Sequence, residues 1–231
     1  MVLCVARADS SNAHTLSESR LFSSTDFFKN DTKIVDFGSS NPKSGRGVLA
    51  LGVVSKFLVC AVRDLVNSPP GGAGGELILY VSLDGNTWSH AKFPHGSSSK
   101  LFENAYTIVE STTHSLAVDV LTHTRSTVGT LFVSNSNGTY FVESLKNTNR
   151  NDVGYVDFED ILGVEGIGIA NVVENAEDVD GRGQTKRLGS VITFDDGAFK
   201  CTPCFSTVIE LIPLAIPNHY IRTYMVPHRC P

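Results

Sequence analysis

Residues 80–89 read YVSLDGNTWS, and how this stretch is read decides the fold. An apolar run leads into the pair Asp84-Gly85, and Trp88, the only tryptophan of the chain, follows at once. Asp-Gly between apolar runs is the strongest short-range signal for a β-hairpin, because both turn residues have to tolerate positive φ. Alone, the stretch specifies one hairpin and one packed tryptophan. Repeated, it specifies an architecture.

It is repeated. The opening stretch is Ser82-x-Asp84 with Gly85 and Trp88. LFSSTDFF carries Ser24-x-Asp26 followed by Phe27 and Phe28. LFVSNSNGTYF carries Ser134-x-Ser136-x-Gly138 followed by Tyr140 and Phe141, and VITFDDGAF carries Thr193-x-Asp195-x-Gly197 followed by Phe199. Each copy follows an apolar pair: Leu21-Phe22, Tyr80-Val81, Phe132-Val133 and Val191-Ile192. With the Asp position as marker, 26 to 84 is 58 residues, 84 to 136 is 52, and 136 to 195 is 59. That interval is somewhat longer than the ~40–50 residues of common propeller blades, and of the same kind.

The text between markers supplies the remaining strands. KIVDFG (33–38), GVLALGVV (47–54) and KFLVCAV (56–62) follow the first marker, and NAYTIVE (104–110) and HSLAVDVL (114–121) the second. YVDFEDI (155–161) and GIGIANVV (166–173) follow the third. Each unit thus offers about four short strands rich in Val, Ile, Leu and Tyr, the content of one blade. NSPPGGAGGE (67–76) reads as a loop by its prolines and glycines, and the charged ENAEDVDGRGQTKR (174–187) as a second loop between apolar strands. The fold class is all-β, a β-propeller segment of about four blades.

Ser-x-Asp-x-Gly followed by an aromatic residue is the pattern called an Asp box, and its chemistry is structural. The carboxylate accepts N–H groups of its own turn and the hydroxyl adds another bond. The Gly accepts a backbone others resist, and the aromatic ring packs under the hairpin. An Asp so engaged is a poor general base. In the opening copy, Gly85 and Trp88 each come one place early, and in the third copy Ser136 replaces the Asp.

The chain has 231 residues, 41% hydrophobic and 19% charged, ordinary for a globular protein with a sizeable core. A formal net charge of −5 gives no basic field for nucleic acid or anionic lipid. No apolar run reaches the ~20 residues of a membrane helix, and MVLCVARADSS at the start lacks the basic n-region of a signal peptide. Cys4, Cys60, Cys201, Cys204 and Cys230 form no evenly spaced framework. Two sequons, at Asn30 and Asn137, permit N-glycosylation in a lumenal setting.

Longer stretches are more specific. ELILYVSLDGNTWSHAKFP (76–94), ENAYTIVESTTHSLAVDVL (103–121), GTLFVSNSNGTYFVESL (129–145), NRNDVGYVDFEDILGVEGIGIANVVENAE (149–177) and SVITFDDG (190–197) closely resemble the fungal vacuolar sorting receptors of the sortilin family. The likeness runs in order from about residue 15 to Gly197. It implies part of a ten-bladed lumenal propeller over residues 1–199. The parent would be a type I, single-pass membrane protein of the Golgi and endosomes. It would capture soluble vacuolar hydrolase precursors of the carboxypeptidase Y type, with no cofactor, and would be a receptor rather than an enzyme. Residues 200–231, from AFKCTPCF onward, resemble nothing in the family and are expected to be irregular. The abrupt change after Gly197 suggests a read-through intron or a frameshift, and the start at Met1 a reading frame opened inside the domain.

In sortilin a basic residue on the strand leading into an Asp box meets the ligand. The corresponding GELILYVS (75–82) has Leu77 and Ile78 and no Arg or Lys, so that contact does not carry over. A tunnel-facing tyrosine of the family matches Tyr106, the one cargo-contact candidate. Cys201-Thr-Pro-Cys204 has redox and half-zinc spacing, but no second pair completes a metal shell. His90, His95, His114 and His123 do not cluster at ligand spacing, and Asp178-x-Asp180 resembles a calcium loop that Arg182 and Gly189 spoil. No metal site is expected. Two other readings remain: an Asp-box glycoside hydrolase such as a sialidase, opposed by ten scattered arginines, and a truncated product without function, whose uncovered blade faces would make it poorly soluble.

Overall fold

The computed structural model describes residues 1–7, 19–38, 45–65, 77–94, 106–109, 112–121, 126–151, 153–161, 166–194 and 200–201. Over these residues the chain is all-β with one short helix, as the repeat implies. β1 (Val2–Arg7), β2 (Ser19–Ser24) and β3 (Lys33–Ile34) form an antiparallel sheet in that order. β4 (Val48–Val54), β5 (Phe57–Arg63), β6 (Leu77–Ser82) and β7 (Ser89–His90) form a four-stranded antiparallel meander. β8 (Tyr106–Ile108), β9 (Ala117–Leu121), β10 (Val128–Ser134) and β11 (Phe141–Asn149) are neighbours in sequence order in a third sheet. The same sheet holds β12 (Phe158–Asp160), β13 (Gly168–Val173), β14 (Leu188–Thr193) and β15 (Lys200–Cys201), where β13 pairs with β12, β14 and, at Thr148↔Val172, β11.

The Asp-box stretches all occupy one place in this order. They join β2 to β3, β6 to β7, β10 to β11 and β14 to β15, the last two strands of each group. A partial β-propeller with four blade-like meanders follows from that regularity.

Two compact units divide the chain: residues 1–118 with 132–142, and residues 119–131 with 143–231. The first unit packs Leu21, Val35, Phe37, Val48, Cys60, Val62, Tyr80 and Trp88 into one buried cluster. Phe37 lies 4.6 Å from the Tyr80 ring and 5.5 Å, edge-on, from Trp88. Burying each such aromatic ring removes a large apolar area from water and adds ring-pair attraction. A second aromatic group centres on Phe93, stacked at 4.5 Å on Phe141 and set edge-on to Phe132 at 5.3 Å. Gly138 shows how tightly the unit is packed. Its φ is +73°, and an added Cβ would stand 2.6 Å from Val81 Cγ1 and 3.0 Å from the Phe57 ring.

The second unit is held by a polar interior. Asp119 on β9 is fully buried, and Arg150, just past β11, is 2% exposed. Arg150 Nε donates to Asp119 Oδ1 at 2.6 Å and Nη2 to the Asp119 carbonyl at 2.6 Å, and the buried Thr148 hydroxyl donates to Asp119 Oδ2. Gly129 on β10 leaves room for this carboxylate, since a Cβ there would overlap it. Lys186 Nζ closes the group, donating to the carbonyls of Thr127 (3.0 Å) and Arg150 (2.6 Å) and to Asn149 Oδ1 (2.7 Å). Asn147 takes φ +59° within β11. After it Thr148, Asn149 and Arg150 are all buried, where strict alternation would turn one of them outward.

Segment 174–187, expected to be a loop, contains a helix, α1 (Ala176–Arg182). Glu177 and Asp178 in its first turn and Arg182 in its last suit the helix dipole, and Gly183 ends it in the left-handed conformation. The N–H groups of Asp178 and Val179 both reach the Asn175 carbonyl at 3.0 Å. The buried Asn175 side chain ties the return path, accepting from the Arg187 N–H (2.7 Å) and donating to the Thr185 carbonyl (3.0 Å).

Two stability predictions follow from this packing. Gly138→Ala combines a disfavoured φ with overlap against Val81 and Phe57, and is expected to cost about 2 kcal/mol or more. A urea midpoint equal to the parent's would contradict the packing. Arg150→Met leaves the Asp119 carboxylate buried without its cation, and is expected to cost about 3–5 kcal/mol. Adding Asp119→Leu is expected to recover part of that loss, and a strictly additive double variant would count against a coupled pair.

Candidate functional site

The Asp-box turns have distinct geometries. In the opening stretch Ser82 Oγ accepts the N–H groups of Asp84 (3.3 Å) and Gly85 (2.8 Å) and donates to Asp84 Oδ1 (3.1 Å). That same oxygen, Asp84 Oδ1, accepts the N–H groups of Asn86 and Thr87, both at 2.8 Å. Trp88 is buried, and its Nε1–H donates to the Gly85 carbonyl at 3.1 Å. The hydrogen bonds from Thr87 and Asn86, in that order of weight, hold the Asp84 carboxyl down at about 2.

The first box has no glycine. Phe27 and Phe28 take φ +60° and +61° in its place. Ser24 Oγ accepts the N–H groups of Asp26 (3.1 Å) and Phe28 (2.7 Å) and donates to Asp26 Oδ1 (2.9 Å). Asp26 then accepts Lys29 (3.1 Å), Asn30 (2.8 Å) and Asp31 (3.2 Å). Partial desolvation works to raise this carboxyl, and the bonds from Asn30, Ser24, Asp31 and Lys29 outweigh it, so it lies below the usual range.

The third box has no carboxylate, and Asn135 rather than Ser136 supplies the acceptor. Asn135 Oδ1 takes the N–H groups of Thr139 (2.9 Å) and Tyr140 (3.3 Å). Ser134 Oγ turns elsewhere, accepting the Leu116 N–H at 2.8 Å and donating to the Asn135 carbonyl at 2.8 Å. Sequence reading missed Asn135 because the repeat register put Ser136 in the Asp column. The signal was present, since Asn favours side-chain-to-backbone turns of this type. Thr193 is buried at the end of β14, and Asp195, Gly197 and Phe199 lie outside the described residues.

Tyr106 sits on β8, half-buried. Its hydroxyl donates to the Leu77 carbonyl at 3.1 Å, and its ring lies 6.2 Å from Phe93 in a near-parallel stack. With its proton committed to Leu77, the oxygen can meet a ligand as an acceptor, and the outer face of the ring is left for apolar contact. Tyr106 has an apolar neighbourhood in the same unit. β4 reads VLALGVV with Ala50 and Val53 exposed, and a Cβ at Gly52 would lie 3.8 Å from Ile108 Cδ1. β4 and β8 are less covered than β5 and β6. This half-open apolar pair with Tyr106 is the candidate site.

The other singled-out residues lie apart from it. His90 is on β7, 5.8 Å from Tyr80, and burial, then the Lys92 charge, hold its imidazole below the usual value. His114 is exposed, and His95 and His123 lie outside the described residues. Cys4 is exposed, while burial pushes the Cys60 thiol up to about 12. Cys201 is on β15, and Cys204 and Cys230 fall outside the described residues. Asp178 pairs with Arg182 at 3.1 Å, and Asp180 accepts the Ser126 hydroxyl at 2.7 Å. Among the described residues no group of three His, Cys, Asp or Glu could hold a metal ion, and no helix is long and apolar enough to cross a membrane. Asn30 and Asn137 are both exposed.

The depressed Asp84 carboxyl fixes the sign of a pH effect. Its turn is stabilised above the ordinary carboxylate value of ~3.9, and that stabilisation disappears as pH falls through about 2. A ¹³C NMR titration is expected to place the Asp84 midpoint at about 2. A midpoint at the ordinary value would mean that Asn86 and Thr87 do not bond this carboxylate in solution.

The repeat, the turns and the sheet order agree with comparisons to known proteins. The Sortilin-Vps10 family model, described as sortilin, neurotensin receptor 3, matches residues 1–199, starting ahead of the residue-15 limit read from the text. Vacuolar protein sorting/targeting protein 10 of Laccaria bicolor is 60% identical over 199 residues, covering 85% of this chain and 13% of the relative. The proteins of the same name from Pyrenophora tritici-repentis and Mycosarcoma maydis are 40% and 42% identical, each over 85% of this chain and 12% and 13% of their own length. This chain therefore spans only about an eighth of the length of these curated relatives. With a family match over residues 1–199, the chain belongs to the Sortilin-Vps10 family.

Proposed function

We propose that this chain supplies part of the cargo-binding propeller of a vacuolar protein sorting receptor. The observation that carries the reading is 60% identity over 199 residues to a fungal protein named for vacuolar protein sorting and targeting. Residues 1–199 are the propeller segment in this reading, and residues 200–231 lie outside it. The receptor works in the Golgi and endosomal lumen as part of a type I membrane protein. Its cargo is soluble hydrolase precursors of the carboxypeptidase Y type, bound and released without covalent chemistry.

The geometry supports a scaffold with a separate binding surface. The carboxylates of Asp26 and Asp84 are engaged by their own turns, which suits a structural role and leaves them poor proton acceptors. Ser24, Ser82, Gly85, Trp88, Ser134, Gly138, Thr193, Asp195 and Gly197 complete the same structural set. The half-open β4 and β8 offer apolar contact, with the Tyr106 ring as the anchor. The sorting reading accounts for the family match, which a glycoside hydrolase does not.

A chimeric receptor tests this. Residues 1–199 replace the matching segment of the Laccaria relative in a fungal host lacking its own receptor, and secreted hydrolase precursor is measured. Sorting is expected to be retained, and Tyr106→Ala to raise the secreted fraction at least twofold. Secretion equal to that of the receptor-free host, with the chimera abundant and correctly located, would sink the reading.

A further inference from the structure

The first Asp box has an exposed surface that its turn chemistry does not explain. Phe27 is 76% exposed, the second highest value among the exposed large hydrophobic side chains, and it takes φ +60°. Phe28 follows at φ +61°. Two successive bulky residues in the left-handed region cost stability that glycine would not. The Asp26 carboxylate holds the turn by drawing in the N–H groups of Lys29, Asn30 and Asp31. The backbone of Asn30 is thereby fixed, while its side chain makes no hydrogen bond to any described residue. Asn30 and Thr32 are exposed, and together with Asp31 they form an N-x-T sequon.

Phe27 and Phe28 precede Asn30 by three and two residues within one rigid turn. The polar face of a pyranose prefers water, while its C–H face packs on an aromatic ring, whose π face carries negative charge. We propose that Asn30 carries an N-linked glycan whose first N-acetylglucosamine packs on the Phe27 ring and stabilises this turn. The donor class is a polyprenyl-diphosphate-linked oligosaccharide. The bond from its anomeric carbon to the diphosphate oxygen breaks, Asn30 Nδ2 bonds to that carbon, the diphosphate leaves with the electron pair, and the amide nitrogen gives up one proton. The sugar explains the exposed ring, since Phe27 becomes covered only when the glycan is present.

Asn137 is the internal control. It is exposed in an N-x-T sequon, but no aromatic residue stands two or three places before it. A glycan there adds bulk without a ring to pack on. The proposal rests on the lumenal reading above, so the test is made independent of cargo.

The full chain is directed into the secretory pathway of a fungal host by a cleavable leader, and its glycans are trimmed to one residue with an endoglycosidase. Peptide mass spectrometry is expected to find Asn30 modified. The trimmed chain is expected to melt about 2–4 °C above Asn30→Gln, and that difference is expected to vanish in Phe27→Ala and in Phe27→Leu, which keeps the bulk without the π face. Asn137→Gln is expected to leave the midpoint unchanged. An unmodified Asn30, or an increment that survives both Phe27 variants, would overturn the proposal. Loss of cargo sorting with the increment intact would count against the receptor reading alone.

Discussion

Backbone N–H groups that converge inside a tight turn need acceptors, and the rest of this fold depends on meeting that need. Where a strand reverses into the last strand of its meander, several amides point inward with no ladder to receive them. Asp84 takes two of them with one oxygen, Asp26 takes three, and Asn135 takes two with an amide oxygen. The third case separates geometry from charge. A carbonyl oxygen two atoms beyond Cα serves as well as a carboxylate, so the turn survives loss of its acid. Each satisfied turn lets an aromatic residue or a glycine face the interior. Trp88 then joins the Tyr80 and Phe37 cluster, and Gly138 admits Val81 and Phe57 to van der Waals contact.

The second unit meets the same accounting with buried charge. Desolvating Asp119 pushes its carboxyl up, and the Arg150 charge and Thr148 hydroxyl pull against that. Such a pair is retained only where nearly every polar atom finds a partner. Lys186, Asn149 and the Arg150 carbonyl extend the bonding outward, and Asp157 continues it by accepting from Asn149 (2.6 Å) and Asn171 (3.3 Å). Asp157 in turn lies near the start of β12, so the chain that supplies the ion pair also fixes where the next meander begins. A polar interior of this kind specifies one arrangement, because each strand shift would strand a buried charge.

Much of this was legible in the sequence, because it rests on local patterns. The Ser-x-Asp spacing, the apolar runs and the interval near 55 residues are one-dimensional features, and they located the hairpins and the strand groups. What escaped reading depends on three-dimensional neighbours. Asn135 was hidden by a register that assumed one acceptor position. The short helix α1 was hidden because its charged residues read as solvated loop, and only the placement of Glu177, Asp178 and Arg182 relative to its ends favours helix. The Asp119–Arg150 pair joins residues 31 apart, and nothing in either local stretch distinguishes a buried Asp from an exposed one. Tyr106 was found through resemblance, and its hydrogen bond to Leu77 became visible only once β6 and β8 were placed.

The separation of these two kinds of information bears on function. Turn acceptors are fixed by backbone geometry, so they recur at a regular interval and reveal the scaffold. A binding surface is fixed by its ligand, so it has no reason to recur. β4 and β8 differ in every residue type that matters for contact: one offers Val and Ala, the other a tyrosine whose proton is already donated. The strand leading into the second box carries Leu77 and Ile78 where a cation would meet an anionic ligand end. A surface so composed selects by shape and apolar contact rather than by a single charge pair. Its affinity for any one extended segment is then modest, and a receptor built this way gains selectivity by engaging several segments of its cargo at once, each on a differently composed inner strand of the same repeated frame.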